Sequence, residues 1–148
     1  YWSLSTKEKG VGNLNDSASI VTHRLAEQGL HLNSLRMGNG SGLSRETAVS
    51  AEDLGRMLVR ASSDASFVNT LARLGIEGTV KNRLTNTDMV GRGRLKTGTL
   101  NDVRAIAGYI DGKSGARYAV VSIIQDGAAQ TAAGKQIQDL FLQWVGEQ

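Results

Sequence analysis

Apolar residues recur at helical spacing in the first half of the chain and form strand-like runs in the second half. A first helix is predicted to follow a capping Asn15 or Asp16 and to stop at Gly29, because short polar residues cap helices and glycine ends them. Its apolar positions are Ala18, Val21, Leu25 and Ala26. Residues 30–37 are expected to be partly extended.

A second amphipathic stretch follows Ser50, a capping residue with Asp53 three positions further on. Its apolar positions are Leu54, Met57, Leu58 and Ala61. A shorter third stripe consists of Phe67, Leu71 and Leu74. Residues 80–93 are predicted to be a polar connection, because no helical or strand period continues through them.

Residues 94–100, 104–111 and 117–125 are predicted to be strands, and Gly112-Lys113-Ser114-Gly115 predicts a hairpin between the last two. A final amphipathic helix follows a capping Thr131. Its apolar stripe consists of Ile137, Leu140, Phe141, Trp144 and Val145. Helices, a three-strand antiparallel meander and a covering helix together predict an α+β fold.

Two features indicate that further surfaces contact this chain. Residues 1–12 show no clear period and begin abruptly, so we expect the chain to be cut from a longer protein, with Tyr1 and Trp2 packed against another part of it. A small sheet also leaves an apolar edge strand that needs a partner. A homodimer formed through such an edge is one expectation.

Composition narrows the classes of function. The chain has no cysteine, which excludes disulfides, thiolate metal sites and a cysteine nucleophile. The net charge is +3, and the mild basic cluster fits either an anionic ligand or a solvated basic face. Its members are Lys81, Arg83, Arg92, Arg94 and Lys96. Nucleic acid is not an expected partner, because aromatic residues make up only 5% of the chain and do not interleave with these charges.

Metal and cofactor chemistry is not predicted. His23, Glu27 and His31 do not form an HExxH pattern, and a catalytic zinc site usually needs three ligands. The glycine-rich stretch at 38–42 lacks the GxxxxGK[ST] pattern of a phosphate loop and is predicted to be a turn. No GxSxG sequence is present either.

The segment Lys96-Thr97-Gly98-Thr99 carries the most specific candidate chemistry. KTG is one of three elements shared by class A β-lactamases and penicillin-binding proteins. A lysine ammonium favours anionic groups and aids proton transfer, and threonine hydroxyls bind a carboxylate. Gly98 allows a ligand to approach closely, and the Thr99 N–H is able to face a developing oxyanion.

Three companion segments make the tripeptide more specific. Four segments of the chain resemble, in order and approximate spacing, four segments of one family. The (D/N)GSGLSR pattern corresponds to Asn39–Arg45 and the G(V/I)(D/E)GT pattern to Gly75–Thr79. The RxKTGTL pattern corresponds to Arg94–Leu100 and the LAGY pattern to Ile106–Tyr109. The chain is therefore similar, over about residues 14–145, to the D-Ala-D-Ala carboxypeptidase/endopeptidase type of low-molecular-mass penicillin-binding proteins, peptidase family S13. The first two segments are interpreted as structural turns.

The resemblance implies that residues 1–148 are the C-terminal portion of one penicillin-binding, transpeptidase-like domain. It implies a periplasmic or cell-envelope serine hydrolase that cuts peptidoglycan stem peptides through an acyl-serine intermediate and is inhibited by β-lactams, without a cofactor. Lys96 and Thr99 would be catalytic, with the Thr99 N–H forming half of an oxyanion hole. Thr97, Gly98 and Thr99 would bind the substrate and its carboxylate.

The chain departs from the family pattern because no serine begins an SxxK or an SxN sequence. In the family both elements lie N-terminal to this region, so the chain alone is expected to be inactive and to need its N-terminal part as a partner. Two alternatives remain: a non-catalytic binding or assembly module with the same fold, and a β-lactamase. Carboxypeptidase and endopeptidase activities are not separated by these residues.

Overall fold

The computed structural model describes residues 1–42 and 44–148. The chain divides into two compact units, Tyr1–Arg56 and Met57–Gln148. Leu43, in the middle of the glycine-rich segment, lies outside the described residues, so the interpretation of that segment as a turn applies only to its neighbours. Gly42 does have a positive φ of 74°, as a glycine turn requires.

The first unit begins with two helices, α1 (Trp2–Lys9) and α2 (Leu14–Glu27). Helix α1 was not expected, because its apolar residues follow no helical period. The predicted caps of α2 are wrong: the Asn13 side chain accepts a hydrogen bond from the Asp16 N–H, and α2 starts at Leu14. The predicted stop is confirmed, since Gly29 follows the helix with a φ of 79°. Trp2 remains 60% exposed within this chain.

A hydrogen-bonded serine–aspartate cluster holds the start of α3 (Ala51–Ala61). Ser50 caps the helix as predicted, because its Oγ accepts a hydrogen bond of 3.1 Å from the Asp53 N–H. The buried Asp53 carboxylate accepts two hydrogen bonds from Ser34, from its N–H at 2.8 Å and its hydroxyl at 2.5 Å. These bonds favour the ionised form, so the pKa of Asp53 lies below its ordinary value.

We expect this cluster to make stability depend on pH. An aspartate whose pKa is lowered by folding stabilises the protein above its unfolded pKa, about 3.9, and loses that contribution as the pH falls through its folded pKa. Ser34→Ala removes the hydroxyl hydrogen bond to Asp53, which lowers the pKa of Asp53 more than the N–H bond does. The variant should therefore have a lower free energy of unfolding at pH 7. Urea unfolding between pH 7 and pH 3 should show the difference from the parent protein shrinking below about pH 4. A difference that stays constant with pH would contradict this role for Asp53.

The second unit contains an antiparallel sheet in the order β1-β2-β3-β4. Its helices and strands are α4 (Ala65–Thr70), β1 (Ala72–Arg73), β2 (Gly93–Leu100), β3 (Val103–Asp111), β4 (Arg117–Gln125) and α5 (Ala132–Gly146). The α+β fold, the meander and the covering helix are confirmed. The predicted three strands are joined by a fourth, β1, which has only two residues and is too short to show a period.

The two faces of the sheet pack against different helices. Leu95 and Ile106 face α5, where they contact a buried cluster that includes Leu142 and Val145. On the opposite face, Tyr109 packs with a second buried cluster, Leu58, Val68 and Leu71. The Tyr109 hydroxyl donates a 2.6 Å hydrogen bond to the Leu58 carbonyl, and burial raises the pKa of this tyrosine, so the donor stays protonated.

The buried face of α5 differs from the predicted one. Ile137, Leu140 and Trp144 of the predicted stripe are 58%, 57% and 65% exposed. Val145 of the stripe is buried and Phe141 packs against the core cluster, and the other buried positions are Gly134, Gln138, Leu142 and Gly146. Gln138 lies inside because its amide N–H groups donate to the carbonyls of Arg104 and Ser122, which satisfies a polar group that would otherwise be costly to bury.

Candidate active site

Strand β2 has one edge that is only partly paired. Its whole length pairs with β3, from Gly93 opposite Ile110 to Leu100 opposite Val103. On the other edge, β1 pairs with Arg94 and Leu95 alone. Within the described ranges, 1–42 and 44–148, no strand pairs with residues 96–100 on that side. The predicted site residues therefore lie along an open strand edge.

The register determines which backbone groups face the open edge. The Asp111 N–H donates to the Arg92 carbonyl at 2.8 Å, which makes these two opposite residues a hydrogen-bonded pair. Because such pairs alternate, Lys96 and Gly98 direct their N–H and C=O groups toward β3, whereas Thr97 and Thr99 direct theirs outward. The Leu74 N–H agrees with this alternation, because it donates from the β1 side to the carbonyl of Gly93, which like Thr97 and Thr99 faces outward, at 3.0 Å.

The four side chains divide between the two faces of the sheet. Strand alternation places Thr97 and Thr99 on the face of Leu95, toward α5, and Lys96 and Gly98 on the face of Tyr109. The exposed Lys96 side chain bends back to the edge, where its Nζ donates to the Thr97 carbonyl at 2.7 Å. The ammonium, the Thr97 and Thr99 backbone groups and the open edge thus meet in one place.

Gly98 is not required by packing within this chain. A Cβ on Gly98 would meet only the Cβ of Ala105 at 3.6 Å, an ordinary contact, and its φ is not in the left-handed region. Glycine inside a strand costs about 0.5–1 kcal/mol relative to alanine. A glycine that the described residues do not need is typical of a place where another molecule approaches the backbone.

Thr79 is a site residue that sequence reasoning missed. Its Oγ1 lies 2.6 Å from the Thr97 Oγ1, and both threonines line a cavity of about 210 Å³. The segment Gly75–Thr79 was interpreted as a structural turn, and the signal within it was a hydroxyl at its end. The other cavity-lining residues include Arg83, Thr99, Arg104, Lys135 and Gln138.

Most of the predicted basic cluster holds the fold together. Arg83 forms a buried ion pair with Asp139, at 2.6 Å. Arg92 donates to the carbonyls of Asp111 and Gly146, and Arg94 donates to the Leu71 carbonyl. Lys96 reaches the open edge and Lys81 is exposed, so the predicted cluster is divided between structural and solvated positions.

The remaining candidate residues do not form a site. His23 Nε2 lies 3.3 Å from the Glu27 carboxylate on one helical face, as its spacing predicts. In the part of the chain that the structure describes, no three histidine or carboxylate side chains are grouped closely enough to hold a metal ion. The described helices also include none with the length and apolar character needed to cross a membrane.

Comparison with known proteins places this edge in a family. The sequence profile of the D-Ala-D-Ala carboxypeptidase 3 (S13) family matches residues 3–148. A D-alanyl-D-alanine carboxypeptidase of Actinomadura sp. (strain R39) is 28% identical over 155 residues, covering 99% of this chain and 29% of the relative. The chain therefore spans less than a third of that relative's length.

Solved structures show the same fold. Penicillin binding protein 4 of Haemophilus influenzae matches with a TM-score of 0.88 and 20% identity over 99% of this chain and 35% of its own. The same protein complexed with a novel β-lactam matches with a TM-score of 0.79 and 22% identity, over 97% of this chain and 36% of its own. A predatory endopeptidase of Bdellovibrio bacteriovorus, in complex with an immunity protein, matches with a TM-score of 0.67 and 19% identity, over 92% of this chain and 37% of its own.

Proposed function

Because the chain belongs to the D-Ala-D-Ala carboxypeptidase 3 (S13) family, we propose that it is the C-terminal portion of one penicillin-binding domain in a serine-type peptidase. The intact enzyme hydrolyses D-alanyl-D-alanine peptides of peptidoglycan through an acyl-serine intermediate and is inhibited by β-lactams. Its substrate places it in the periplasm or cell envelope.

The observation that carries this proposal is the unpaired edge of β2 at Lys96–Thr99. An extended peptide binds such an edge as an added strand, because main-chain groups on both sides complete the hydrogen bonds. Thr97 and Thr99 present their outward N–H and C=O groups to the peptide. At Gly98 the open space beside the backbone leaves room for the ligand.

The same edge supplies groups for acyl transfer. The Thr99 N–H faces outward and forms half of an oxyanion hole for the tetrahedral intermediate, where fixed donors stabilise developing negative charge. Lys96 brings an ammonium to the attacked bond, where it stabilises anionic groups and helps to move the proton of the nucleophile. The hydroxyls of Thr97 and Thr99, on the α5 side of the edge, bind the terminal carboxylate of the substrate.

The nucleophile comes from outside these 148 residues, because no serine here begins SxxK or SxN. We assign the nucleophilic serine, its lysine and the SxN loop to the N-terminal part of the protein. The exposed apolar face of α5 (Ile137, Leu140 and Trp144) and the outer edge of β4 form the surface that this part covers. Because these side chains are 57–65% exposed, covering them contributes about 1–2 kcal/mol each.

A fluorescent penicillin tests the proposal. The intact protein should become covalently labelled at one serine upstream of this chain, whereas residues 1–148 alone should remain unlabelled. Gly98→Ala in the intact protein should slow labelling by about 100-fold, because a Cβ displaces the bound amide by roughly 1 Å.

Three results would overturn the proposal. An intact protein that resists labelling and lacks SxxK would be a non-catalytic module, and labelling of the isolated chain would mean that the nucleophile lies within it. Rapid turnover of a chromogenic cephalosporin by the intact protein would instead indicate a β-lactamase.

A further inference from the structure

The turn Gly75–Thr79 holds a single hydroxyl against the predicted carboxylate site. Thr79 belongs to a short 3-10 helix, Gly78–Val80, beside the open edge of β2. Its Oγ1 and the Thr97 Oγ1 are 2.6 Å apart, which is a hydrogen bond that either oxygen is able to donate. Thr79 is exposed, so this contact is not explained by burial in the core.

The turn is built rigidly around that hydroxyl. The Glu77 carboxylate accepts hydrogen bonds from the Arg73 backbone N–H at 3.1 Å and from its guanidinium Nε at 2.9 Å. These bonds from Arg73 lower the pKa of Glu77, which therefore stays ionised at neutral pH. Val80, the next residue after Thr79, is fully buried and anchors the end of the turn in the core.

The contact between Thr79 and Thr97 leaves one hydroxyl proton free for a ligand. Each threonine hydroxyl has one proton and two acceptor sites, so in a pair of hydroxyls one proton lies in the shared bond and one remains free. A carboxylate only accepts hydrogen bonds. When Thr79 donates to Thr97, the free proton belongs to Thr97, and Thr97 is then a donor that its neighbour polarises.

The surroundings favour an anion at this position. The cavity that Thr79 and Thr97 line also includes Arg83, Arg104 and Lys135. Arg83 and Lys135 share one carboxylate, that of Asp139, whereas the Arg104 Nε and Nη2 donate to the neutral carbonyls of Ala129 and Gln130. The cavity therefore carries a net positive charge, which stabilises a bound carboxylate.

We propose that Thr79 is a positioning residue that orients the Thr97 hydroxyl as a donor to a carboxylate bound at the open edge of β2. The ligand class is a peptide with a free terminal carboxylate, and the assignment rests on the proposed function. Thr79 does not touch the reacting bond. It acts through Thr97, and its contribution should appear only when the ligand carries a negative charge at that end.

Nuclear magnetic resonance titration of the 148-residue chain tests this without the nucleophile. The probes are N-acetyl-D-alanyl-D-alanine and its terminal carboxamide, followed at the Thr97, Gly98 and Thr99 amide signals. Thr79→Val keeps the shape of the side chain and removes the hydroxyl, and should weaken carboxylate binding about fivefold while changing carboxamide binding less than about twofold. Thr79→Ser should retain the parent preference.

Thr70→Val is the matched control, because Thr70 is also exposed but does not line the cavity, and it should change neither affinity. Equal weakening of both probes by Thr79→Val would show that the residue only shapes the turn, and unchanged binding or an unresponsive parent chain would equally overturn the inference. If the intact protein is not labelled by penicillin but the chain still prefers the carboxylate probe, the proposed enzymatic function is wrong and the role of Thr79 stands.

Discussion

Gly108→Ala should lower the free energy of unfolding by about 4 kcal/mol or more, one of the two largest effects expected in this chain. A Cβ at position 108 would lie 2.1 Å from the Arg94 carbonyl oxygen and 3.0 Å from the Leu95 Cα, both backbone atoms of β2. The φ of 145° adds backbone strain for any other residue. Since β3 cannot approach β2 with a Cβ there, the strand that carries Lys96–Thr99 would be displaced.

Gly98→Ala is the matched control, on the neighbouring strand of the same sheet. Its Cβ meets only Ala105 at an ordinary distance, so urea unfolding should show equal or slightly greater stability than the parent protein. The expected pattern is a large loss of stability for Gly108→Ala and none for Gly98→Ala, so that only Gly98→Ala slows penicillin labelling of the intact protein without destabilising it. Equal stability of the two variants would contradict the assignment of Gly108 to structure and Gly98 to ligand approach.

Arg83→Met should destabilise the chain by about 2–3 kcal/mol, because it leaves the nearly buried Asp139 carboxylate with only the partly exposed Lys135 as a partner. Arg83 is 5% exposed, and its Nε and Nη2 lie 2.7 Å and 2.6 Å from Asp139 Oδ1. The guanidinium also approaches the Gln138 side chain and the Lys135 carbonyl, at 3.4 Å each. Arg83 thus joins the connection after Val80 to the first half of α5.

Two further variants separate charge burial from general sensitivity. Lys113→Ala removes ion pairs with Glu147 and Asp88, in which the three side chains are 51%, 53% and 56% exposed, and it should leave the free energy of unfolding almost unchanged. The double variant Arg83→Met with Asp139→Leu should recover much of the loss, because no unpaired charge remains buried. A double variant as unstable as Arg83→Met would show that lost packing, not the loss of the guanidinium beside Asp139, causes the destabilisation.

Local patterns in the sequence were enough for the larger elements of the second unit. Strands β2, β3 and β4 begin and end within one residue of the predicted runs, because alternation, the glycine hairpin and strand propensity are all encoded locally. Helix α5 was predicted for the same reason, but its orientation was not. A periodicity count selects the stripe with the largest apolar side chains, whereas the buried position of Gln138 depends on the carbonyls of Arg104 on β3 and Ser122 on β4.

In the candidate site, too, the sequence predicted which residues matter, and the tertiary structure decided how they are arranged. Lys96, Thr97, Gly98 and Thr99 were identified from the sequence, because KTGT occurs together with three companion segments in the order and approximate spacing of one family. Alternation along a strand is enough to place Lys96 and Gly98 on one face of the sheet and Thr97 and Thr99 on the other. Their convergence at an unpaired edge does not, since it depends on β1 ending after Arg73.

By itself the sequence determined the family, the α+β class and the strand that carries the candidate chemistry, because these are properties of consecutive residues. Tertiary structure alone decided that Thr79 meets Thr97, that Arg83 is buried with Asp139, and that Gly108 and not Gly98 is needed for packing. Those contacts join residues 18 and 56 positions apart, or depend on how closely two strands approach. No local period encodes such distances, and they arise only when the sheet and α5 pack together.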